Sequence, residues 1–196
     1  ERFFRAAIPR LTIIARPRQF FGQRVDSIEP MERTKYIVVE GPIGVGKTSL
    51  AKMLAHEFQA RTVFERVEDN PFLPKFYKSR ELYAFQNQTF FLLNRYQQQI
   101  ELAQQDLFEQ NTVADYLFAK DQIFASLTLT AEELSLYQQI YALLNTRVPK
   151  PDLIVYLQAR PEVLYKRVKK RDKKYERGVT FEYLGEVAQA YNQFFF

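Results

Sequence analysis

From Lys35 onward, short apolar runs alternate with longer stretches in which apolar residues recur every three or four positions. "KYIVVE" (35–40), "RTVFE" (61–65), "NTVAD" (111–115) and "PDLIVYLQ" (151–158) are the short runs, and each predicts a strand. "KTSLAKMLAHEF" (47–58), a long stretch over roughly 80–106, the residues up to about 145, and "RPEVLYKRVKKR" (160–171) carry the helical period. Strands alternating with helices in this order predict an α/β fold with a parallel sheet flanked by helices. Residues 1–30 differ: they hold prolines at 9, 17 and 30, no sustained period and several arginines. They read as an arginine-rich N-terminal extension, either a transit-like presequence or, the preferred reading, upstream sequence that adds little to function, and 31–196 as one domain that opens with "MERTKYIVVEG".

The loop between the first predicted strand and helix carries chemistry. In "EGPIGVGKTSL" (40–50), Gly41, Gly46, Lys47 and Thr48 satisfy the spacing G-x-x-x-x-G-K-[ST]. Glycines let successive backbone N–H groups turn inward around phosphate oxygens, so Gly41, Gly44, Val45, Gly46, Lys47, Thr48 and Ser49 are the candidate nucleotide-binding residues. Lys47 reaches the β and γ oxygens, and the Thr48 hydroxyl is placed for Mg²⁺. The helix that starts there adds its positive dipole end. ATP or GTP is therefore the expected ligand. The switch GTPases need an N-K-x-D segment and a D-x-x-G, and the chain has neither.

Composition narrows the picture further. Cysteine is absent and His56 is the sole histidine, which excludes a disulfide framework and a Cys/His zinc site and fits a cytoplasmic setting. The net charge of +5 is carried by residues 1–24, where six of the 28 basic residues stand against one of the 23 acids, so the remainder is neutral. Neither nucleic acid nor a membrane is an expected partner, and apolar runs such as "LIVYL" are too short to cross a bilayer.

A phosphate-loop enzyme that is not a GTPase is expected to be a small-molecule kinase, and its acceptor sets the remaining residues. A hydroxyl acceptor must lose a proton and calls for a carboxylate near the γ-phosphate; a phosphate acceptor calls for arginines. "TVFERVEDNPFL", at the end of the second predicted strand, offers both Glu65 and Arg66. On position alone the choice stays open.

"EGPIGVGKTSL", "YKSRELYAFQNQTFFLLNR", "IFAS" and "VYLQARPEVLYKRVKKRDKKYERGVTFEYL" together resemble the deoxynucleoside kinases, from Lys35 to the C-terminus. The resemblance implies a P-loop kinase three-layer fold, ATP as phosphate donor, Mg²⁺, a deoxynucleoside substrate and a homodimer. By position, Glu65 matches the carboxylate that takes the proton from the sugar 5′-hydroxyl, although Arg66 follows it where the family has proline. Tyr77 matches the tyrosine on the 3′-hydroxyl, Gln88 the glutamine that pairs with the base edge, and Arg95 the arginine that supports it. The seven-residue separation puts Gln88 and Arg95 on one helical stripe about 10 Å apart, with Phe85, Leu92 and neighbouring aromatics expected as apolar walls.

In "TVADYLFAKDQIFAS", Asp115 matches an acid that acts on Mg²⁺ opposite Thr48, but Tyr116 and Leu117 replace the arginine and serine that follow it in the family. Lys120 or Arg66 is left to supply the lost charge. Anchored on Asp115, the resemblance sets Asp121 on the acid that pairs with the base-binding arginine; anchored on "IFAS", it sets Lys120 there. The first alignment is preferred. "KRVKKRDKKYER", by itself a solvated helical face, corresponds to the family's lid. There Arg167, Arg171 and Lys173 become clamps on the transferring phosphoryl group, and Glu176 meets the 3′-hydroxyl beside Tyr77. The family has a further strand after "YNQFFF", so the sheet is expected to lack its C-terminal edge strand and the sequence to continue past Phe196. The reading is a deoxynucleoside 5′-kinase favouring deoxyadenosine, deoxyguanosine or deoxycytidine. A thymidylate-type monophosphate kinase and a catalytically impaired nucleotide-binding module are the alternatives.

Overall fold

The computed structural model describes the backbone of residues 10–15, and residues 35–104 and 111–196 in full. Its elements run β1 (Arg10–Ala15), β2 (Tyr36–Glu40), α1 (Lys47–Glu57), β3 (Arg61–Val63), α2 (Leu73–Phe76), α3 (Arg80–Gln104), β4 (Thr112–Ala114), α4 (Lys120–Thr128), α5 (Ala131–Asn145), β5 (Leu153–Gln158), α6 (Pro161–Arg171) and α7 (Phe181–Phe195). The sheet order is β1-β5-β2-β4-β3. β5, β2, β4 and β3 are parallel, with Ile37 opposite Leu153, Val38 opposite Ala114 and Val63 opposite Ala114. β1, inside the segment read as an extension, pairs antiparallel with β5, from Arg10 opposite Gln158 to Ala15 opposite Leu153.

The parallel strands are continuous apolar runs because both faces of the sheet are covered. Every residue of β2 and β4 is buried, as are the middle four of β5. A second apolar cluster lies apart from the sheet: Leu92 of α3, Phe118, Ala125 of α4, and Tyr137 and Tyr141 of α5 pack together, with the Phe118 and Tyr141 rings stacked at 5.4 Å. α5 begins with a capping box in which Thr130 accepts from the Glu133 N–H and the Glu133 side chain accepts from the Thr130 N–H.

β1 and α2 have no counterpart among the elements the sequence predicts, and β3 and α7 depart from that reading as well. β3 ends at Val63 rather than at Glu65, because the Glu65 N–H leaves the ladder and donates to Asp115 Oδ1 at 2.9 Å. α7 has no counterpart in the sequence reading. It starts where Thr180 caps the Tyr183 N–H at 3.1 Å, and it buries Tyr183, Leu184, Val187, Ala188, Tyr191 and Phe195, a spacing of three and four that seats one face on α4 and α6. Of the predicted helix over 80–106, residues 105 and 106 lie outside the described residues.

Parallel strands deliver their carboxyl ends to one edge of the sheet. The chain leaving β2 (41–46), β3 (64–72) and β4 (115–119) therefore gathers at a single edge, and α3 runs past it. That edge holds the cavity.

Candidate active site

The cavity, of about 470 Å³, lies between the phosphate loop, α3 and the turn after α6. Its size suits a ligand with a ring system and phosphates. Gly44, Gly46, Lys47, Thr48 and Ser49 form one end. Gly41 adopts φ 150°, and a Cβ there would come within 2.4 Å of the Leu157 carbonyl oxygen, so glycine lets the loop lie directly against β5. Gly46, at φ 112°, turns the chain into α1. Val45 is not part of the cavity wall: its side chain is buried, its N–H donates to the Pro42 carbonyl at 3.2 Å, and its carbonyl accepts from Arg167 Nη1 at 2.8 Å.

Lys47 Nζ donates to the carbonyls of Gly41 (2.7 Å) and Pro42 (3.3 Å). Burial pushes this ammonium below its ordinary value, opposed by the carboxylate of Glu40, reinforced by Lys120, and opposed again by Glu65 and Asp115. These charges form one cluster. Thr48 Oγ1 donates to Asp115 Oδ2 at 2.5 Å, so Asp115 ties the phosphate loop to the backbone of Glu65.

Glu65 is the centre of the site. Its Oε1 accepts from Nε of Arg95 at 2.8 Å and also from Nη2 of that residue, and its Oε2 accepts from Lys120 Nζ at 2.6 Å. Burial alone would raise the Glu65 carboxyl, but the charges and hydrogen bonds of Arg95 and Lys120 reverse this and hold it well below the usual carboxylate range. Arg95 uses its remaining Nη1 on Asp121, and its guanidinium lies over the Phe91 ring at 4.6 Å. The pairing follows the alignment anchored on Asp115, since Asp121 pairs with Arg95; Lys120, which the other alignment sets on that acid, pairs instead with Glu65. Arg66, the other candidate for the missing charge, is exposed and faces Glu101 at 3.5 Å.

Further along α3, Gln88 is buried and its Nε2 donates to Thr128 Oγ1 at 3.1 Å. Phe85 and Leu92 are not the walls of this region. The stripe through Gln88 and Arg95 has two flanks. Packing against α5 takes the Phe85–Leu92 side into the second apolar cluster, and Phe91 on the opposite flank lines the cavity together with Leu73, Phe76 and Phe124.

The last wall comes from residues after α6. Asp172 ends that helix in a left-handed turn (φ 42°). Glu176 is buried and accepts from Nε of Arg171 at 2.6 Å and from Nη2 of the same side chain. Gly178 packs on Tyr77 so closely that a Cβ would lie 2.6 Å from Tyr77 Cβ. Burial raises the Tyr77 hydroxyl well above its ordinary value, with Tyr183 and Glu176 adding to the effect. Tyr77, Arg171, Lys173 and Glu176 thus share one wall, with Lys173 Nζ 3.3 Å from Glu68. Arg167 is turned away from that wall, toward the phosphate-loop carbonyl of Val45.

Sequence reasoning passed over Glu40. Its carboxylate is fully buried and accepts from the N–H of Gly41 (2.7 Å), the N–H of Leu117 (2.6 Å) and the hydroxyl of Tyr191 (3.0 Å). One side chain therefore joins the phosphate loop, the chain after β4, and α7. The signal that picked out Glu65, an acid at the carboxyl end of a parallel strand, applies equally to Glu40.

Comparison with known proteins follows the same lines. The family profile "Deoxynucleoside kinase" matches residues 37–195. The deoxyguanosine kinase of Bacillus subtilis is 40% identical over 162 residues, which are 82% of this chain and 78% of that protein. The deoxyadenosine kinase of Dictyostelium discoideum is 34% identical over 164 residues, 81% of this chain and 66% of that protein. Among solved structures, the deoxyadenosine kinase of M. mycoides with the products dCMP and a flexible dCDP bound superposes with a TM-score of 0.72 at 23% identity, covering 81% of this chain and 82% of that one. At that identity the superposition speaks for the fold. With a profile match that takes in nearly all of the described domain and a relative at 40% identity over most of both chains, this protein belongs to the deoxynucleoside kinase family.

Proposed function

We propose that the chain transfers the γ-phosphoryl group of ATP to the 5′-hydroxyl of a deoxynucleoside, with deoxyguanosine, deoxyadenosine or deoxycytidine as acceptor, in cytoplasmic nucleotide salvage. The observation that carries this reading is the place of Glu65. Its carboxylate lies in one cavity with the phosphate-loop residues Lys47 and Thr48 and with Gln88 and Arg95. A donor phosphate held at the first pair and a base held at the second leave the sugar carbon bearing the 5′-hydroxyl beside Glu65.

In this reading the N–H groups of the loop and Lys47 hold the β and γ oxygens. Glu65 is ionised throughout the neutral range and accepts the hydroxyl proton as the new O–P bond forms and the bond to ADP breaks. Lys120, Arg171 and Lys173 put positive charge where the equatorial oxygens carry their negative charge in the transition state. Tyr77 and Glu176 face the 3′-hydroxyl. Thr48 Oγ1 and Asp115 Oδ2 are hard oxygens 2.5 Å apart beside the loop, a donor set that fits Mg²⁺, which takes few protein ligands and completes its shell with water and phosphate. When bound, Mg²⁺ neutralises charge on the phosphates.

A homodimer fits the exposed Leu82 and Leu93 on α3 and Leu136 and Leu143 on α5, helices that pack on one another; sedimentation of the purified chain checks it. The deciding experiment supplies ATP and Mg²⁺ with each of the four deoxynucleosides and with dAMP. Phosphorylation of deoxynucleosides and not of dAMP is expected. Turnover of the monophosphate alone would replace this reading with that of a monophosphate kinase.

A further inference from the structure

The way Gln88 is held carries an inference about base selection, which rests on the proposed function. Thr128 Oγ1 lies 2.7 Å from the carbonyl oxygen of Phe124, one helical turn earlier on α4. Two oxygens approach so closely only with a proton between them, and a carbonyl has none to give, so the single hydroxyl proton of Thr128 is committed to Phe124. Toward Gln88, Oγ1 offers only lone pairs. The amide of Gln88, 3.1 Å away, is therefore bound to meet it with N–H rather than with Oε1. Proton counting thus decides the direction of an amide whose oxygen and nitrogen are otherwise interchangeable in shape.

Gln88 is 2% exposed, and a reversal would set its Oε1 directly against the lone pairs of Thr128 Oγ1, leaving both without a proton between them. Held this way round, it leaves Oε1 and its second N–H for the cavity, in a set order. Nucleobases divide by the same order. Adenine and cytosine present an exocyclic amino donor next to a ring-nitrogen acceptor; guanine and thymine present an exocyclic oxo acceptor next to a ring N–H donor. In a given pose, reversing the amide exchanges one class for the other.

We propose that Thr128 is a positioning residue that locks the Gln88 amide in one direction and so makes the site choose between amino-bearing and oxo-bearing bases. It touches no substrate itself. Deoxyadenosine and deoxyguanosine are the informative pair, since both are purines and differ in the order of donor and acceptor. The unaltered chain discriminates between them by about tenfold or more in kcat/KM, since a buried polar group left unpaired penalises the wrong partner. Thr128→Val keeps the shape but removes the hydroxyl, and it brings the two kcat/KM values together by about tenfold through the KM for the nucleoside, with the KM for ATP unchanged. Thr128→Ser retains the hydroxyl and retains the parent's ratio. Should the valine variant fold poorly in a thermal melt, Thr128→Ala removes the same hydroxyl without branching and is read in the same way.

Equal use of deoxyadenosine and deoxyguanosine by the unaltered chain would overturn the proposal with no variant needed. So would a valine or alanine variant that melts like the parent and keeps its ratio, or a serine variant that loses the ratio as the valine variant does. Failure of the unaltered chain to phosphorylate any of the four deoxynucleosides is a different result: it removes the kinase reading itself, and this proposal with it.

Discussion

Lys120 Nζ lies 2.6 Å from Oε2 of Glu65, at the base of the cavity, while Arg95 occupies the other oxygen of the same carboxylate. The lysine, first residue of α4, brings its positive charge to the carboxylate from a helix that follows β4. Asp115 is followed by Tyr116, which is buried and whose hydroxyl accepts from Gln99 Nε2 at 3.1 Å, so that position has become part of the core. Arg95, and after it the Lys120 cation from the next helix, keep Glu65 ionised.

Glu65→Gln is the sharpest test of the acceptor. The amide keeps size and hydrogen bonding but accepts no proton, so kcat on deoxyadenosine is expected to fall by roughly 10²- to 10⁴-fold, the usual contribution of a general base. Nucleoside affinity changes much less. Arg66→Ala, at an exposed residue paired with Glu101, is expected to be mild. The opposite pattern, mild for Glu65→Gln and severe for Arg66→Ala with dAMP as acceptor, would identify a monophosphate kinase.

Lys120→Met removes one of the two cations that hold the Glu65 carboxyl below its ordinary range. A carboxyl depressed in the folded state contributes stability above its unfolded pKa, about 4.3, and loses it as pH falls through the lower folded value. Without Lys120 the folded pKa rises, so this contribution shrinks, and the stability gained between about pH 3 and about pH 7 is smaller in Lys120→Met than in the parent. Lys120→Arg restores the charge and most of that gain. Urea unfolding of the parent and both variants at the two pH values measures it; the same gain in all three would sever the link between Lys120 and Glu65.

Tyr77→Phe removes a buried hydroxyl on the wall shared with Glu176 and Arg171. If that hydroxyl meets the sugar 3′-oxygen, kcat/KM falls by about 10-fold on 2′-deoxynucleosides, the scale of one hydrogen bond, and hardly at all on 2′,3′-dideoxynucleosides. Steady-state kinetics with matched substrate pairs measures the difference. Equal losses on both would remove the residue from sugar recognition.

Glu40→Leu leaves the N–H groups of Gly41 and Leu117 and the hydroxyl of Tyr191 without their acceptor. Each buried unsatisfied group costs about 1–3 kcal/mol, so a loss of several kcal/mol is expected in urea unfolding. ATP binding weakens with it, because the same carboxylate sets the first residue of the phosphate loop. A variant as stable as the parent would show that Glu40 is dispensable as a joint.

The alternation of the four parallel strands with the helices between them and the phosphate loop were legible along the chain, because each rests on local rules, whereas Glu65, Gln88 and Arg95 were grouped only by the resemblance to the deoxynucleoside kinases. A run of β-branched residues predicts a strand wherever it ends up, and G-x-x-x-x-G-K-T carries its own turn geometry. What was not legible depended on contacts across the fold. Periodicity put Gln88 and Arg95 on one stripe, but it could not say which flank faces the cavity, since Phe85 and Phe91 are both apolar; α5 settles that by covering Phe85 and Leu92. Composition could not choose between Lys120 and Arg66, because the choice depends on α4 starting with its first residue beneath Glu65, 55 positions away in sequence. Glu40 looked like the end of a strand until Leu117 and Tyr191 were brought to it by the sheet and by α7. Sequence alone determined which residues have the chemistry. The parallel sheet, by delivering β2, β3 and β4 to one edge, decided which of them meet and with what charge between them.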